Sequence, residues 1–298
     1  MPFIWRCSMG FRADYHVHLE RGPYRPEWLG AFVEAARAAG LQELGFSEHL
    51  HDFFEGSVVS GRWWDVDPDP EERAYAEQWW CARPRYHLSQ YVAFLREADP
   101  PDVTLRLGLE VDYFPGTEAA LRELLRAYPL DFVLGSVHWL GAWGFDHLDR
   151  LQRWEGRDID AVYRNYFAQL IQAARSGLFD VMAHIDLVKL AGYRPSFALE
   201  PLYEEAARAF AEAGVAIEVS TAGLRRPCRE IYPAEAFLRR CRAYEVPIVF
   251  SSDAHRPEDV ARDLDQAIAL ARSCGYTHTL RFSHRVREAV PFDGSLPG

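Results

Sequence analysis

Short apolar runs alternate with longer amphipathic stretches along most of the chain, the pattern of strands feeding helices in a parallel sheet. The apolar runs predict strands ending near His18, Ser47, Glu110, Val137, Ala183, Ser220 and Ser251. Between them, helical spacing of apolar residues predicts helices over 26–39, 85–97, 117–127, 159–176, 199–213, 233–244 and 257–273. Gly40, Gly177, Gly214 and Gly275 stand where helix C-caps need a residue free to turn left-handed. A last short strand fits 279–282. Seven or eight such βα units in one run imply an α/β protein built as a (β/α) barrel, closed or slightly distorted. One segment breaks the rhythm. Residues 51–84 carry Trp63, Trp64, Trp79 and Trp80 among several prolines. They read as a long βα insertion over the barrel mouth, either packed decoration or a lid and pocket wall.

The histidines are not scattered at random over this frame. Of eleven, six fall at predicted strand C-termini: His16, His18, His49, His138, His184 and His255. In a βα barrel that edge is where functional groups converge. His16 and His18 are two apart on a strand, so both are expected to face the interior, with Tyr15 and Val17 facing out. Asp253 and His255 repeat the spacing after the Ile248–Phe250 run, and Glu110 ends another strand. Each of these alone has a bland reading: a packed histidine, or half of a structural ion pair. Together they gather imidazoles and carboxylates at one rim, which is costly without a shared partner. Divalent cations accept both ligand types, and the ligand count exceeds what one ion needs, so two or three are expected. Zinc, manganese and iron all suit the set.

Charge and composition narrow the partners. With 33 basic and 44 acidic residues the chain carries −11 at neutral pH. That disfavours general binding of nucleic acid or an anionic membrane and leaves a small molecule as the expected partner. No stretch approaches the roughly 18 apolar residues of a membrane span. Five dispersed cysteines without a CxxC, and no signal-like apolar core near Met1 or the alternative start Met9, point to a cytoplasmic protein with reduced thiols. Nucleophile-elbow, P-loop and dinucleotide-binding patterns are absent from the sequence. Ser47, Ser136 and Ser251 neighbour histidines that the metal reading already claims.

The ordered segments DYHVH (14–18), SEH (47–49), GLEVDY (108–113), GSVHW (135–139), AH (183–184) and SSDAH (251–255) resemble the motif set of the polymerase-and-histidinol-phosphatase (PHP) superfamily. GLRRPCREIYP (223–233), VHWLGAWGFD (137–146) and GLFDVMAHIDLVK (177–189) resemble its histidinol-phosphate phosphatase branch. The resemblance covers residues 12–290 and implies a single distorted (β/α)7 TIM-like barrel with its metal site at the C-terminal ends of the strands. It further implies that His16, His18, Glu110 and Asp253 hold one ion, Glu110, His138 and His184 a second, and His49 and His255 a third. The family often adds a His or Asp in the loop after HxH. Here that loop offers only Glu20. Arg225, Asp253 and His255 are implied as catalytic, with Arg225 clamping phosphate. Glu230, Tyr232, Trp143, Asp146 and Lys189 are the candidate substrate contacts. The implied activity is phosphomonoester hydrolysis of L-histidinol phosphate. Other phosphate esters (a nucleotide, a phosphodiester, a phosphotyrosine peptide), amidohydrolase-like hydrolysis without need of Arg225, and a non-catalytic metal scaffold are the competing readings.

Overall fold

In the computed structural model, which describes residues 10–292, the apolar runs and amphipathic stretches resolve in this order: β1 (Ala13–Val17), α1 (Pro26–Ala38), β2 (Glu43–His49), α2 (Phe54–Ser60), α3 (Pro70–Cys81), α4 (Leu88–Glu97), β3 (Thr104–Asp112), α5 (Glu118–Ala127), β4 (Phe132–Ser136), β5 (Trp139–Leu140), β6 (Trp143–Gly144), α6 (Ile159–Arg175), β7 (Val181–Met182), α7 (Glu200–Ala213), β8 (Ala216–Ser220), α8 (Glu235–Ala243), β9 (Ile248–Ser251), α9 (Leu264–Ser273), β10 (His278–Ser283) and β11 (Val286–Pro291). Met1, Met9 and Cys7 lie outside the described residues. Local signals place the helices. Pro26 opens α1 at a position that needs no N–H, the Asp158 carboxylate caps Ala161 N–H of α6, and Gly214 ends α7 at φ +69°.

Seven strands form one sheet in the order β1-β2-β3-β4-β7-β8-β9, each pair parallel. The sheet curls until its edges meet. Ala254 N–H donates to His16 C=O (3.1 Å) and His18 N–H to Ala254 C=O (2.8 Å), just beyond the end of β9. The result is a nearly closed barrel wrapped by helices, as the distorted (β/α)7 expectation has it.

The barrel interior is apolar below and polar above. Ala13, Tyr15, Phe132, Leu134, Val181, Ala183, Ala216 and Val249 fill the lower half. Phe132 crosses so close to β3 that a Cβ at Gly108 would lie 2.4 Å from its ring, which explains a glycine inside a strand. The segment 279–282 is not an eighth barrel strand. It belongs to β10, which pairs antiparallel with β11, and this hairpin sends Leu280 and Phe282 into the floor. Tyr15 also departs from the alternation rule. The β1–β2 register shifts between Asp14 and Val17, a bulge that turns Tyr15 and His16 both inward. The Tyr15 hydroxyl bonds the Glu43 carboxylate and accepts Phe282 N–H (3.0 Å), tying strand to floor. Helix α9 starts seven residues later than its sequence pattern, because Ala261 (φ +54°) and Asp263 (φ +60°) interrupt the chain with left-handed turns.

The tryptophan-rich segment is helical, not loop. Trp63, Trp64, Trp79 and Trp80 pack with Phe114, Trp139 and Ala142 into a cluster of their own. Ala142 N–H donates to Asp67 (2.6 Å), and buried Glu72 takes Arg150, Arg153 and Arg157 at 3.1, 2.7 and 2.9 Å. These contacts fasten the insertion to the β5–β6 hairpin and to the residues just after it. Among the described residues no helix is long and apolar enough to cross a membrane.

Candidate metal centre

At the upper rim, side chains from β1, β2, β3 and the turns after β4, β7 and β9 converge on one carboxylate. Glu110 Oε2 lies 2.9 Å from His49 Nδ1, 3.1 Å from His16 Nε2 and 3.6 Å from His18 Nε2. Its Oε1 lies 3.0 Å from His184 Nε2 and 3.3 Å from His138 Nε2. Asp253 Oδ1 sits 3.1 Å from His255 Nε2, 3.6 Å from His18 Nε2 and 3.8 Å from His16 Nε2. Glu20 joins from the loop after β1, its carboxylate 3.0 Å from His255 Nδ1. All nine predicted ligand residues therefore meet in one place. Two of them hold left-handed backbone, His184 at φ +27° and Asp253 at φ +54°. For residues with a Cβ that costs roughly 1–3 kcal/mol, strain of the kind that collects at functional sites.

Above this cluster opens a cavity of about 750 Å³. Its wall includes Glu20, Asp146, Tyr232, Asp253 and His255, as the sequence reading expects of residues that face a ligand. Four other expectations are placed elsewhere. Trp143 is buried under Arg157, whose guanidinium stacks 3.7 Å over its ring, and packs on Trp154. Glu230 pairs with Arg194 (2.6 Å) and Lys189 (3.2 Å) behind the wall. Lys189 is itself buried, so it offers nothing to a ligand in the cavity. Arg225 folds back to donate to Ser252 C=O, whereas its neighbour Arg226 lines the cavity. The 3-10 turn over Thr221–Arg225 sets which of two adjacent arginines faces inward, and no sequence period carries that phase. The insertion contributes Trp79 and Arg83 to the wall, with Arg83 stacked 4.0 Å over Trp79.

Comparison with known proteins agrees with this architecture. The family model described as the PHP domain matches residues 14–222. A Deinococcus radiodurans protein named a probable histidinol-phosphatase is 34% identical over 278 residues, 91% of this chain and 96% of its own. The chain belongs to the PHP-domain family. A Bacillus subtilis histidinol-phosphatase is 27% identical over 270 residues, 84% of this chain and 95% of its own. Among solved structures, the Lactococcus lactis histidinol phosphate phosphatase, complexed with zinc, L-histidinol and phosphate, shares the fold. Its TM-score is 0.65 at 20% identity, covering 93% of this chain and 98% of that one.

The side chains of this PHP site suit cations, on evidence internal to the structure. His138 Nε2 and His184 Nε2 face each other at 3.3 Å with Glu110 between them. Both ring nitrogens of buried His18 lack a hydrogen-bond partner, as do His16 Nε2 and His49 Nδ1. Four triads, His16–His18–Glu110, Glu110–His138–His184, His18–His49–His255 and His18–Glu20–Glu48, bring ligand atoms within 4.8 Å of one another. Behind them stand carboxylates that the motif reading did not single out. His16 Nδ1–H donates to Glu218 (2.6 Å), which also accepts His184 N–H (2.8 Å). Asp112 accepts from His138 Nδ1–H (2.8 Å) and His51 Nδ1–H (2.9 Å). Such partners fix the ring orientation and leave the opposite nitrogen for a metal. The signal for Glu218 was a lone acid in the apolar run AIEVS, and for Asp112 its position two residues after Glu110.

These neighbours set the protonation of the metal-free site. Burial alone depresses His16 and His138. The facing carboxylates outweigh it and hold both well above the usual imidazole range: Glu218, Glu110 and Asp253 for His16, Glu110 and Asp112 for His138. His255, partly buried, is pushed up to about 10 by Asp253 and Glu20 against the pull of burial. Burial and the cationic neighbours His49, His255 and His16 push His18 well below that range. Imidazole binds a metal only after losing its proton. Zinc loading of the metal-free protein at neutral pH is therefore expected to release about two or more protons per chain. Calorimetric titration in buffers of different ionisation enthalpy reads that number, and a value near zero contradicts this picture.

Proposed function

We propose that this chain is a metal-dependent phosphomonoesterase that hydrolyses L-histidinol phosphate to L-histidinol and phosphate, a reaction of histidine biosynthesis in the cytoplasm. The observation that carries the reading is the Glu110-centred cluster of histidines at the floor of the cavity. The relatives named for this activity, similar over most of their length, support the substrate. His16, His18, Glu110 and Asp253 hold one ion, and Glu110, His138 and His184 a second. His49 and His255, with Glu20, hold a third. Zinc, present in the Lactococcus lactis relative, is the first candidate. Divalent cations at these places supply Lewis-acid polarisation of phosphoryl oxygens and lower the pKa of a water.

The rest falls to the protein's own groups. Arg226 lines the cavity, where its guanidinium can grip two phosphate oxygens at once. Asp253, at the wall, would accept a hydrogen bond from the attacking water through the carboxylate oxygen not given to an ion, and His255, held by Asp253 and Glu20, would fix that carboxylate in place. Asp146 points a buried, unpartnered Oδ1 at the other end, where it accepts an N–H of the amino alcohol or its imidazole. Trp79, Trp139 and His147 give that end a flat aromatic side, with the His147 ring held by the Tyr75 hydroxyl at 2.7 Å. The net charge of −11 favours a small monoester over a nucleic acid.

The test is phosphate release by metal-loaded protein from L-histidinol phosphate, set against a nucleotide, a phosphodiester and a phosphotyrosine peptide. Faster turnover of any other member overturns the substrate. In the same assay Arg226→Ala is expected to raise KM about tenfold to a hundredfold, the worth of a charged hydrogen-bond pair. Arg225→Ala, by freeing Ser252 next to Asp253, is expected to lower kcat and leave KM nearly unchanged. The reverse pattern would return the phosphate clamp to Arg225.

A further inference from the structure

Lys189 is the single lysine among 33 basic residues. It ends the 3-10 turn Leu187–Lys189 that follows His184, and its side chain is only 4% exposed. An ammonium has three donors, and here three acceptors surround it: Asp186 Oδ2 at 2.8 Å, Ile231 C=O at 2.8 Å and Glu230 Oε2 at 3.2 Å. The face of Tyr232 lies 5.4 Å from Nζ. Asp186 Oδ2 also accepts Ala234 N–H (2.8 Å), and Leu190 C=O accepts Cys228 N–H (3.0 Å). The turn after β7 thus grips the loop after β8 at both ends of its return path. These two segments are neighbouring parts of one cavity wall: His184, Leu187 and Leu190 line it from the first, Arg226 and Tyr232 from the second.

We infer that Lys189 is a positioning residue for substrate phosphate: its buried ammonium locks the Arg226–Tyr232 loop against the His184 side of the cavity, without touching the ligand. The inference rests on the reading of Arg226 as the phosphate clamp. Arginine cannot stand in, although the chain uses it everywhere else. A planar fork of five donors does not fit three acceptors arranged about one nitrogen. Removing the charge altogether leaves Asp186 buried without its counter-ion and frees the return strand of the loop.

The experiment compares Lys189→Met and Lys189→Arg with the parent protein, all zinc-loaded. The readouts are calorimetric binding of inorganic phosphate, KM and kcat on L-histidinol phosphate, metals per chain and melting temperature. Both variants are expected to bind phosphate about tenfold more weakly and to raise KM similarly, the scale of loss when a clamp shifts by part of an ångström. Metal content and kcat are expected to stay within about twofold. Unchanged phosphate affinity overturns the proposal, whatever happens to the melting temperature. So does full function in Lys189→Arg, and so does a fall in metal content and kcat with KM constant, which would tie Lys189 to His184 instead. If Lys189→Met does not fold, Glu230→Gln decides, since that carboxylate is half-exposed and removable. A threefold or larger loss of phosphate affinity supports the lock and no change refutes it. A parent protein that binds phosphate but leaves L-histidinol phosphate intact refutes the substrate reading alone, and the calorimetry still judges Lys189.

Discussion

Glu110→Gln is expected to fold and to lose about a thousandfold in kcat/KM, roughly 4 kcal/mol at 1.36 kcal/mol per decade. The substitution keeps the shape of the side chain and removes its charge. One oxygen of Glu110 now faces His49, His16 and His18, and the other faces His184 and His138. An amide in its place has one acceptor and turns two N–H donors toward imidazoles that need a negative partner. Both proposed cation sites that share this residue would be weakened together, so elemental analysis is expected to show fewer metals per chain in step with the lost activity. The buried carboxylate is held well below the ordinary range by His16, His49 and His138 against the opposing pull of burial. It is therefore charged at every pH where the enzyme would be assayed. Retention of more than about a tenth of the activity, with metals still bound, would remove Glu110 from the centre of the site.

Exhaustive chelation is expected to abolish phosphate release, and restored zinc or manganese to recover it. Stability falls as well. A ligand present at a thousand times its dissociation constant adds about 4 kcal/mol to the folded state. For a chain of this length that corresponds to roughly 8 °C in melting temperature. The carboxylates limit the damage. Glu218, Asp112, Glu20 and Asp253 already pair with the histidines, so the metal-free barrel keeps much of its charge balance. The expectation is a folded protein that melts earlier and does no chemistry. Undiminished turnover after complete metal removal would end the mechanism.

The legible part of the site is the part written in strands. Imidazoles and carboxylates that follow apolar runs mark strand C-termini, so His16, His18, Asp253 and His255 could be assigned to one rim, although His18 stands just beyond β1 and Asp253 and His255 just beyond β9. The cavity wall was less legible for a definite reason. Arg225 and Arg226 differ only in the phase of a 3-10 turn, and Trp143, in the two-residue strand β6, and Asp146, just after it, lie three apart, one buried and the other facing the ligand space. Lys189 looked like a phosphate contact because of its charge and its place after a barrel strand. Its three acceptors come from Asp186 nearby and from residues about forty positions later, where no local pattern can reveal them. Tyr15 broke the alternation at a register shift in β1, where its ring packs edge-on against Phe132 and Phe282.

Barrel class and the gathering of the candidate ligand residues at one rim follow from the chain's own periodicity and from which residue types stand at the strand ends, because hydrogen-bonded strands repeat every two residues and imidazole and carboxylate have few other uses at a buried rim. Closure of the barrel through Ala254, the floor made by the C-terminal hairpin, the orienting pairs Glu218–His16 and Asp112–His138, and the choice of Arg226 over Arg225 depend on groups distant in the chain meeting at hydrogen-bond distance. Such meetings are set by packing in three dimensions, where a shift of one residue in a turn changes which side chain arrives.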